Sequence, residues 1–350
     1  SSGQAGSLFG NCVSTGGDLN GDGYGDLLIG AQSWESNVVT ELSEGAVFVY
    51  YGSATGVNTV ADLILQPNHA NDNFGSNVAC AGDINNDGFS DVIVGGFLAS
   101  YPTLNEGAVW IFMGSAAGLN PVALHRLERN QGGGFFGRSV ASAGDLNGDG
   151  FSDVVVGASK FVYTTGASDQ GSAFVYYGSA LGLGAGINPP FSVQLFGSGN
   201  NVAFFGWWVT CAGDLNGDGY SDLAVTAYQD ESGQTDEGVV YVYHGSGIGV
   251  NTVPAAILQS DQTTAWLGRS ASTAGDVNGD GYADLLVGAP KLTAGQSLEG
   301  VGRVYLGSPT GISTTASFQL ELNSAGANFG ESVCTAGDVN GDGYSDFIIG

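Results

Sequence analysis

A nine-residue pattern rich in carboxylates occurs six times in the chain. Each copy reads Asp-x-Asn-x-Asp-Gly-aromatic-x-Asp, and the copies begin at Asp18, Asp83, Asp145, Asp214, Asp276 and Asp338. Positions 1, 3, 5 and 9 offer side-chain oxygens, position 7 offers a backbone carbonyl, and Gly at position 6 lets the backbone turn around an ion. A hard divalent cation takes about six to eight oxygen ligands, so the pattern predicts six Ca²⁺ sites, one per copy.

We call these nine-residue segments the acidic loops, and their predicted ligands stand at positions 1, 3, 5, 7 and 9. They are Asp18, Asn20, Asp22, Tyr24 and Asp26; Asp83, Asn85, Asp87, Phe89 and Asp91; Asp145, Asn147, Asp149, Phe151 and Asp153; Asp214, Asn216, Asp218, Tyr220 and Asp222; Asp276, Asn278, Asp280, Tyr282 and Asp284; and Asp338, Asn340, Asp342, Tyr344 and Asp346. For one copy an ordinary Asx-rich turn would compete with this interpretation, but six copies in register leave that alternative little weight. We expect the position 7 aromatic to point inward and anchor the loop on the blade.

The acidity of the chain fits this interpretation. Three carboxylates in each of six loops account for 18 of the 34 acidic residues, and six Ca²⁺, each carrying two charges, would bring the formal charge from −27 to −15. The loops lack flanking EF-hand helices and a Glu at position 12, which argues against a cytosolic switch. Sites of modest affinity fill where calcium is millimolar, so we expect an extracellular or cell-surface protein.

Composition excludes several classes of function. The net charge of −27 argues against nucleic acid as a partner, because such binding requires a broad basic surface. No apolar run approaches the ~20 residues needed to span a membrane. The three histidines, His69, His125 and His244, lack a repeated Ser or Cys partner, and no nucleophile elbow, phosphate loop or zinc motif occurs. We therefore expect no enzyme.

The acidic loops belong to a longer repeat. They are separated by 65, 62, 69, 62 and 62 residues, and Phe-Gly precedes each loop by nine residues, with Leu267-Gly268 as the one variant. Strand one follows Phe-Gly, and an apolar strand two ending in Gly-Ala follows the loop, as in 153–158. An alternating, aromatic-rich strand three follows, as in 44–52, and a Gly-Ser-x-x-Gly turn leads to strand four, as in 61–66 and 255–259. Four antiparallel strands per repeat of ~62 residues predict a β-propeller blade.

These residues resemble a known family. Phe-Gly, then Gly-Asp-x-Asn-x-Asp-Gly-Tyr-x-Asp, then Leu-Leu-Val-Gly-Ala-Pro at 285–290 is similar to the FG-GAP repeat of integrin alpha-subunit propellers and of bacterial integrin-like surface proteins. The resemblance covers essentially the whole chain. It implies four-stranded blades around a central axis, with metal loops joining strands one and two. Thr226 replaces Gly in the fourth copy, and only the fifth has the full Gly-Ala-Pro.

The predicted fold class is all-β, a propeller of four-stranded antiparallel blades forming a single domain over 1–350. The repeats span 9–73, 74–135, 136–204, 205–266, 267–328 and 329–350. The sixth repeat ends at Gly350, directly after strand two, and an open blade would expose a sheet edge. Either the chain continues or partner strands complete this blade, and the resemblance implies six or seven blades when closed.

Strand one runs from Phe-Gly to the acidic loop and strand two runs back to Gly-Ala, so the Phe-Gly ends share the face opposite calcium. Seven residues before each loop lies a set that we call the variable ring: Asn11, Ser76, Arg138, Trp207, Arg269 and Glu331. Lys160 and Lys291 lie just past the Gly-Ala ends of the repeats that carry Arg138 and Arg269. A basic and aromatic patch suits an anionic or carboxylate-bearing ligand. Alternatively, the two Arg side chains pair with neighbouring acids and the Trp side chains fill the channel.

Three functions remain open from the sequence. The favoured one is an extracellular, calcium-stabilised binding or adhesion module for a protein or glycan ligand, with Arg138, Trp207, Arg269, Lys160 and Lys291 as the candidate ligand-binding residues. The second is a structural subunit or spacer of a secreted or cell-surface assembly. The third is an accessory domain of a secreted enzyme.

Overall fold

The computed structural model describes residues 3–36 and 42–350; part of the first repeat's connection between strands two and three, 37–41, lies outside them. The described residues form strands and turns and contain no helix, so none could cross a membrane as a helix. By repeat, the strands are β1 Phe9–Gly17, β2 Asp26–Ala31, β3 Ala46–Tyr50 and β4 Leu63–Leu65; β5 Asn77–Gly82, β6 Asp91–Gly96, β7 Ala108–Phe112 and β8 His125–Glu128; β9 Phe136–Gly144, β10 Asp153–Ala158, β11 Ser172–Tyr176 and β12 Val193–Leu195; β13 Val209–Gly213, β14 Asp222–Ala227, β15 Val239–Tyr243 and β16 Ala256–Gln259; β17 Ser270–Gly275, β18 Asp284–Ala289, β19 Val301–Tyr305 and β20 Phe318–Leu320; and β21 Val333–Gly337 with β22 Asp346–Ile349.

The sheets follow the repeats. Each of the first five repeats forms one four-stranded sheet in sequence order, and the sixth forms a two-stranded sheet from β21 and β22. Neighbouring strands pair antiparallel, as between Leu27 and Tyr50 of β2 and β3. The predicted fold class, all-β with four-stranded antiparallel propeller blades, is confirmed. The number of blades in a closed propeller stays a prediction.

Two details of the strands differ from the sequence analysis. In the first and third repeats strand one begins at Phe-Gly itself, since β1 and β9 start at Phe9 and Phe136. In the first four repeats strand three is buried at all five positions instead of alternating, and in the fifth only Arg303 is partly exposed. The reason is that its two faces meet different neighbours: Val47 and Val49 pack into one apolar cluster, while Phe48 and Tyr50 pack into another. A strand buried on both faces loses the period-two pattern.

The chain divides into two compact units, and the division falls within the third repeat. The first unit contains 1–142, 150–161 and 174–192, and the second contains 143–149, 162–173 and 193–350. Each unit has its own buried core, built around residues such as Val94 and Phe136 in the first and Val242 and Leu285 in the second. The single domain over 1–350 stays a prediction, and each unit is described by itself below.

In the first four repeats the Phe of Phe-Gly forms an aromatic pair with strand three of its own repeat, and all of these rings except Phe9 are buried. Ring centroids lie 5.1 Å apart for Phe9 and Phe48, 5.0 Å for Phe74 and Trp110, 5.6 Å for Phe136 and Phe174, and 5.3 Å for Phe205 and Tyr241. All four pairs are edge-to-face, the favoured aromatic geometry.

The Gly of Phe-Gly and the Gly that opens strand three allow neighbouring repeats to meet. Gly45 forms a parallel bridge with Phe74 of the next repeat, and a Cβ on Gly45 would lie 2.0 Å from the Phe74 carbonyl oxygen. A Cβ on Gly75 would lie 2.5 Å from the Ala46 carbonyl oxygen. Both glycines also have positive φ, which favours glycine at these positions.

The four cysteines are free thiols. Cys12, Cys80 and Cys211 are partly buried, whereas Cys334 is exposed. Cys334 lies on β21 of the two-stranded sixth sheet, which has fewer strands to cover it.

Candidate calcium loops and ligand face

The acidic loops connect strand one to strand two in every repeat, as expected. In the second loop, Asp83 Oδ1 accepts the Asp87 N–H at 3.0 Å and Oδ2 accepts the Gly88 N–H at 2.8 Å. Asn85 Oδ1 accepts the Asp87 N–H, and Asp87 Oδ1 accepts the Phe89 N–H. These bonds hold the oxygens of positions 1, 3 and 5 at the exposed tip of the loop. Each oxygen retains a second lone pair that could face a cation.

The carboxylate at position 9 lies deeper than the others. Asp91 is fully buried; its Oδ2 accepts the Ile84 N–H at 2.8 Å, and its Oδ1 accepts the Gly114 N–H at 2.9 Å. Burial raises the pKa of Asp91 to about 7, and the Asp83 and Asp87 carboxylates add to the rise. The same causes raise the pKa of Asp222 to about 6, although backbone hydrogen bonds and His244 oppose them. The buried position 9 carboxylate therefore stabilises the loop through hydrogen bonds to backbone N–H groups inside the blade.

Among the described residues, no three His, Cys, Asp or Glu side chains already form a cluster able to hold a metal ion. The donors nevertheless suit calcium, because the tip of each loop presents carboxylate and amide oxygens. In the first, second, fourth, fifth and sixth loops, no carboxylate is paired with a Lys or Arg side chain of the described chain. The donor set thus carries negative charge that the neighbouring side chains do not neutralise.

The ring of the position 7 aromatic lies against the preceding acidic loop. A Cβ on Gly21 would lie 2.7 Å from the Phe89 ring, and a Cβ on Gly217 would lie 2.6 Å from the Tyr282 ring. Neighbouring loops are also hydrogen-bonded, since Asp18 N donates to Ser90 Oγ at 3.2 Å and Ser90 N donates to the Asp18 carbonyl at 2.9 Å. The ring covers a Gly at position 4, which the sequence analysis did not use.

The Phe-Gly and Gly-Ala ends do lie together at the other end of the strands, since Phe9 pairs with Ala31. In the first unit, the Arg138 guanidinium lies 5.6 Å from the Phe97 ring and Lys160 Nζ lies 4.8 Å from the Phe135 ring. The two rings meet edge to face at 5.4 Å. Arg138 and Lys160 therefore border one shared pair of aromatic rings.

The second unit carries a larger aromatic group, which we call the aromatic platform: Phe204, Trp207, Tyr228 and Trp266. Tyr228 lies at its centre, with ring centroids 5.7, 4.5 and 5.6 Å from those of Phe204, Trp207 and Trp266. The sequence analysis identified Trp207 and missed the other three. Tyr228 follows β14 and Trp266 precedes β17, so only the sheet geometry brings them together.

Two cations border the platform. The Arg269 guanidinium lies 4.6 Å from the Trp207 ring and 5.5 Å from the Tyr228 ring, and Lys291 Nζ lies 5.5 Å from the Trp266 ring. Arg269 also forms an ion pair with Glu331 at 2.8 Å, in which the two side chains are 24% and 49% exposed. The alternative that a ring Arg pairs with a neighbouring acid is thus realised for Arg269. Lys291 Nζ donates to Asn328 Oδ1 at 2.7 Å.

The residue before Phe-Gly has a left-handed backbone in all six repeats. Its φ lies between 52° and 58° at Leu8, Asn73, Phe135, Phe204, Trp266 and Asn328. Its carbonyl accepts the N–H of the variable-ring residue, as from Arg269 to Trp266 at 3.1 Å. Asn tolerates this conformation, whereas a bulky aromatic residue rarely adopts it. Three consecutive repeats therefore hold aromatic rings in an unfavourable conformation beside the variable ring.

A buried Glu shapes the loop between strands two and three. Glu237 Oε1 accepts the Ser232 and Gln234 N–H groups at 3.0 and 3.2 Å, and Glu299 Oε1 accepts the Ala294 and Gln296 N–H groups at 2.8 Å each. Backbone hydrogen bonds lower the pKa of Glu299. Glu299, which stands two residues before β19, thus fixes the loop that follows Lys291.

Comparison with known proteins identifies similar sequences. The model of the FG-GAP repeat matches residues 9–50, 136–176, 206–243, 267–306 and 329–350, together more than half of the chain. Integrin alpha-7 of Homo sapiens is 38% identical over 201 residues, covering 57% of this chain and 16% of that protein. Integrin alpha-6 of Gallus gallus is 34% identical over 195 residues (55% and 17%), and integrin alpha-V of Gallus gallus is 28% identical over 299 residues (79% and 28%). The chain spans less than a third of the length of these relatives.

Proposed function

The chain belongs to the FG-GAP repeat family, and from that premise we propose that it is an extracellular, calcium-stabilised module that binds a protein or glycan ligand. The integrin alpha subunits to which it is similar support a propeller of the type used in adhesion. Binding takes place at the face that carries the variable ring. The acidic loops lie at the other end of the strands and stabilise the blades.

The observation that carries this proposal is the aromatic platform with its two cations. Trp207, Tyr228 and Trp266 offer ring faces for stacking, and Arg269 and Lys291 offer positive charge in a chain of net charge −27. Aromatic side chains beside Arg are typical of binding hot spots. This combination favours a ligand with a carboxylate next to an apolar or sugar-ring surface.

The ion pair between Arg269 and Glu331 is compatible with ligand exchange. Because both side chains are partly exposed, the pair contributes only about 0–1 kcal/mol to stability. A ligand carboxylate can therefore take the place of Glu331 at small cost. Arg138 and Lys160 in the first unit offer a second cation and aromatic pair of the same chemistry.

Calcium is proposed as the resident metal of the acidic loops. The residues that would hold it are those at positions 1, 3, 5, 7 and 9, such as Asp83, Asn85, Asp87, the Phe89 carbonyl and Asp91. The ion would offset the mutual repulsion of three carboxylates per loop. The support is the all-oxygen donor set and the lack of Lys or Arg partners in five of the loops, within the described part of the chain.

Binding to arrays of acidic and neutral glycans and of acidic peptides tests the proposed function. We expect the calcium-loaded parent to select acidic ligands, and Arg138→Ala with Arg269→Ala to weaken that binding at least about tenfold, equivalent to ~1.4 kcal/mol. Arg126→Ala is the matched control, because Arg126 is paired with Glu128 at 2.6 Å on β8, outside the variable ring. Equal binding by the parent and the double variant would show that the proposal is wrong.

A further inference from the structure

Strand three of the fifth repeat departs from the others at one position. The third residue of this strand is aromatic in four repeats, Phe48, Trp110, Phe174 and Tyr241, and each ring packs on the Phe of Phe-Gly. In the fifth repeat this residue is Arg303, and Phe-Gly is replaced by Leu267-Gly268. Both members of the aromatic pair have therefore changed, and a guanidinium stands where the other blades carry a ring.

Arg303 lines a polar cavity of about 300 Å³ in the second unit, together with Gln259, Asp261, Tyr305 and Gln319. Its Nε donates to Gln319 Oε1 at 3.1 Å, and Nη1 makes a long contact of 3.5 Å to the Gln259 carbonyl. Within residues 3–36 and 42–350 no carboxylate forms an ion pair with it. Arg303 thus keeps donors for an anion that enters the cavity.

Tyr305 supplies a second observation. The side chain is 1% exposed, and its hydroxyl is buried without a hydrogen-bond partner of ordinary geometry in the described chain. Burial raises the pKa of Tyr305, and the neighbouring Arg303 guanidinium opposes the rise through its charge and through a weak hydrogen bond to the hydroxyl. The corresponding hydroxyls do have partners: Tyr176 is bonded by Arg129, and Tyr243 donates to the Phe196 carbonyl at 3.2 Å. A buried hydroxyl that is left unsatisfied is unusual and indicates a missing partner.

A corresponding cavity in the second repeat shows which features are specific to the cavity of the fifth repeat. It has a similar volume, about 330 Å³, and is lined by Trp110 and Phe112 at the positions of Arg303 and Tyr305. Its cation, Arg126, already pairs with Glu128 and lies 3.8 Å from the Tyr101 ring. The cavity therefore occurs in both repeats, and the fifth differs in lining it with a cation that has no carboxylate partner among the described residues and with a buried hydroxyl beside that cation.

We propose that this cavity binds a carboxylate-bearing sugar residue, whose carboxylate pairs with Arg303 and which accepts a hydrogen bond from Tyr305 Oη. Gln259, Gln319 and the Thr315 hydroxyl border the cavity and can bond the sugar hydroxyls. Asp261 also lines the cavity, where its carboxylate can accept a hydrogen bond from a sugar hydroxyl and disfavours a phosphate ester, which carries more negative charge. The volume suits one sugar ring, at the small end of ligand pockets, which measure about 300–1,000 Å³. This site is separate from the aromatic platform and does not depend on it.

The test is a titration of the calcium-loaded chain with glucuronate and with glucose, followed by ligand-observed NMR. We expect saturable binding of glucuronate and at least about tenfold weaker binding of glucose. Arg303→Met should abolish glucuronate binding, and Tyr305→Phe, which removes only the buried hydroxyl, should weaken it several-fold. Arg126→Met in the matched cavity should leave it unchanged.

Three results would overturn the proposal: no glucuronate binding by the parent, equal binding of glucose and glucuronate, or parent-like binding by Arg303→Met. Thermal unfolding of each variant checks that the blade is intact. Should Arg303→Met not fold, Arg303→Lys and Tyr305→Phe decide the question, since Lys keeps the charge but loses the planar donor geometry. Parent-like glucuronate affinity in both variants would then contradict the site. The glycan and peptide arrays test Arg138 and Arg269, whereas the glucuronate titration tests Arg303 and Tyr305. Failure of the proposed function can therefore be distinguished from failure of the proposed sugar site.

Discussion

Oδ1 of Asp91 accepts a hydrogen bond from the Gly114 N–H at 2.9 Å, and this bond ties the last residue of an acidic loop to the chain just beyond strand three. The same bond recurs from Gly52 to Asp26, Gly178 to Asp153, Gly245 to Asp222 and Gly307 to Asp284, at 2.8–3.0 Å. Position 9, expected as a calcium ligand, is thus also a support inside the blade.

Removing this support should destabilise the fold even without metal. Asp91→Ala leaves the buried Ile84 and Gly114 N–H groups without an acceptor, and we expect a loss of roughly 2–4 kcal/mol of unfolding free energy. Denaturant unfolding in the presence of a chelator measures it. Asp87→Ala is the control, because Asp87 is exposed. Equal losses in the two variants would contradict a bracing role for position 9.

Removal of calcium should lower the melting temperature. Without the ion, the carboxylates of each loop repel one another, and the buried position 9 group is the most affected. Equilibrium dialysis should find about six Ca²⁺ per chain, as the six loops predict, and Asp87→Ala should lose one of them. A melting midpoint unchanged by chelator would show that calcium does not stabilise the protein.

The buried aromatic pairs predict a graded response to truncation. Phe136 is fully buried and its ring lies 5.6 Å from that of Phe174. Phe136→Ala should cost about 3–5 kcal/mol through the cavity it leaves, and Phe136→Leu clearly less, since Leu stands at this position in the fifth repeat. Denaturant unfolding measures both, with Val13→Ala as control because Val13 is 58% exposed. A Leu variant as unstable as the Ala variant would refute this interpretation.

The sequence predicted the repeat and its strands well because their signals are local. Phe-Gly, the acidic loop and the apolar run of β10 each indicate an element within a few residues. The aromatic platform could not be predicted in this way, since Tyr228 follows β14, Trp266 precedes β17, and the two rings meet only through sheet packing. Likewise, the spacing of Asp91 indicates a ligand but not its bond to Gly114, which depends on where β7 ends.

The left-handed backbone of Trp266 predicts that its replacement has separate effects on stability and on ligand binding. With φ at 58°, Trp266 adopts a conformation that Asn tolerates better, and Asn occupies the same position at Asn73 and Asn328. Trp266→Asn should relieve strain of about 1 kcal/mol, offsetting part of the packing lost, and should weaken ligand binding through loss of the platform. Melting curves and the glycan and peptide arrays measure the two effects. Ligand binding by Trp266→Asn as strong as that of the parent would show that Trp266 is not part of the ligand site.

Asp72 should give the fold a distinct dependence on pH. The carboxyl is fully buried and accepts hydrogen bonds from His69 at 2.7 Å and Tyr101 at 2.9 Å. Burial raises its pKa, and His69, Tyr101 and Arg126 only partly oppose the rise. Since the unfolded value is about 3.9, the folded state holds this proton more tightly. The resulting stabilisation is complete below about pH 4 and is lost as the pH rises through the folded pKa.

Asp72→Asn removes this titration while keeping a hydrogen-bonding side chain of the same size. Its melting temperature relative to the parent should therefore increase between about pH 4 and about pH 7, because only the parent must ionise Asp72 over that range. Glu231→Gln is the control, since Glu231 is exposed and should change the melting temperature little at either pH. A constant difference between Asp72→Asn and the parent across this range would mean that Asp72 has the same proton affinity in the folded and unfolded states.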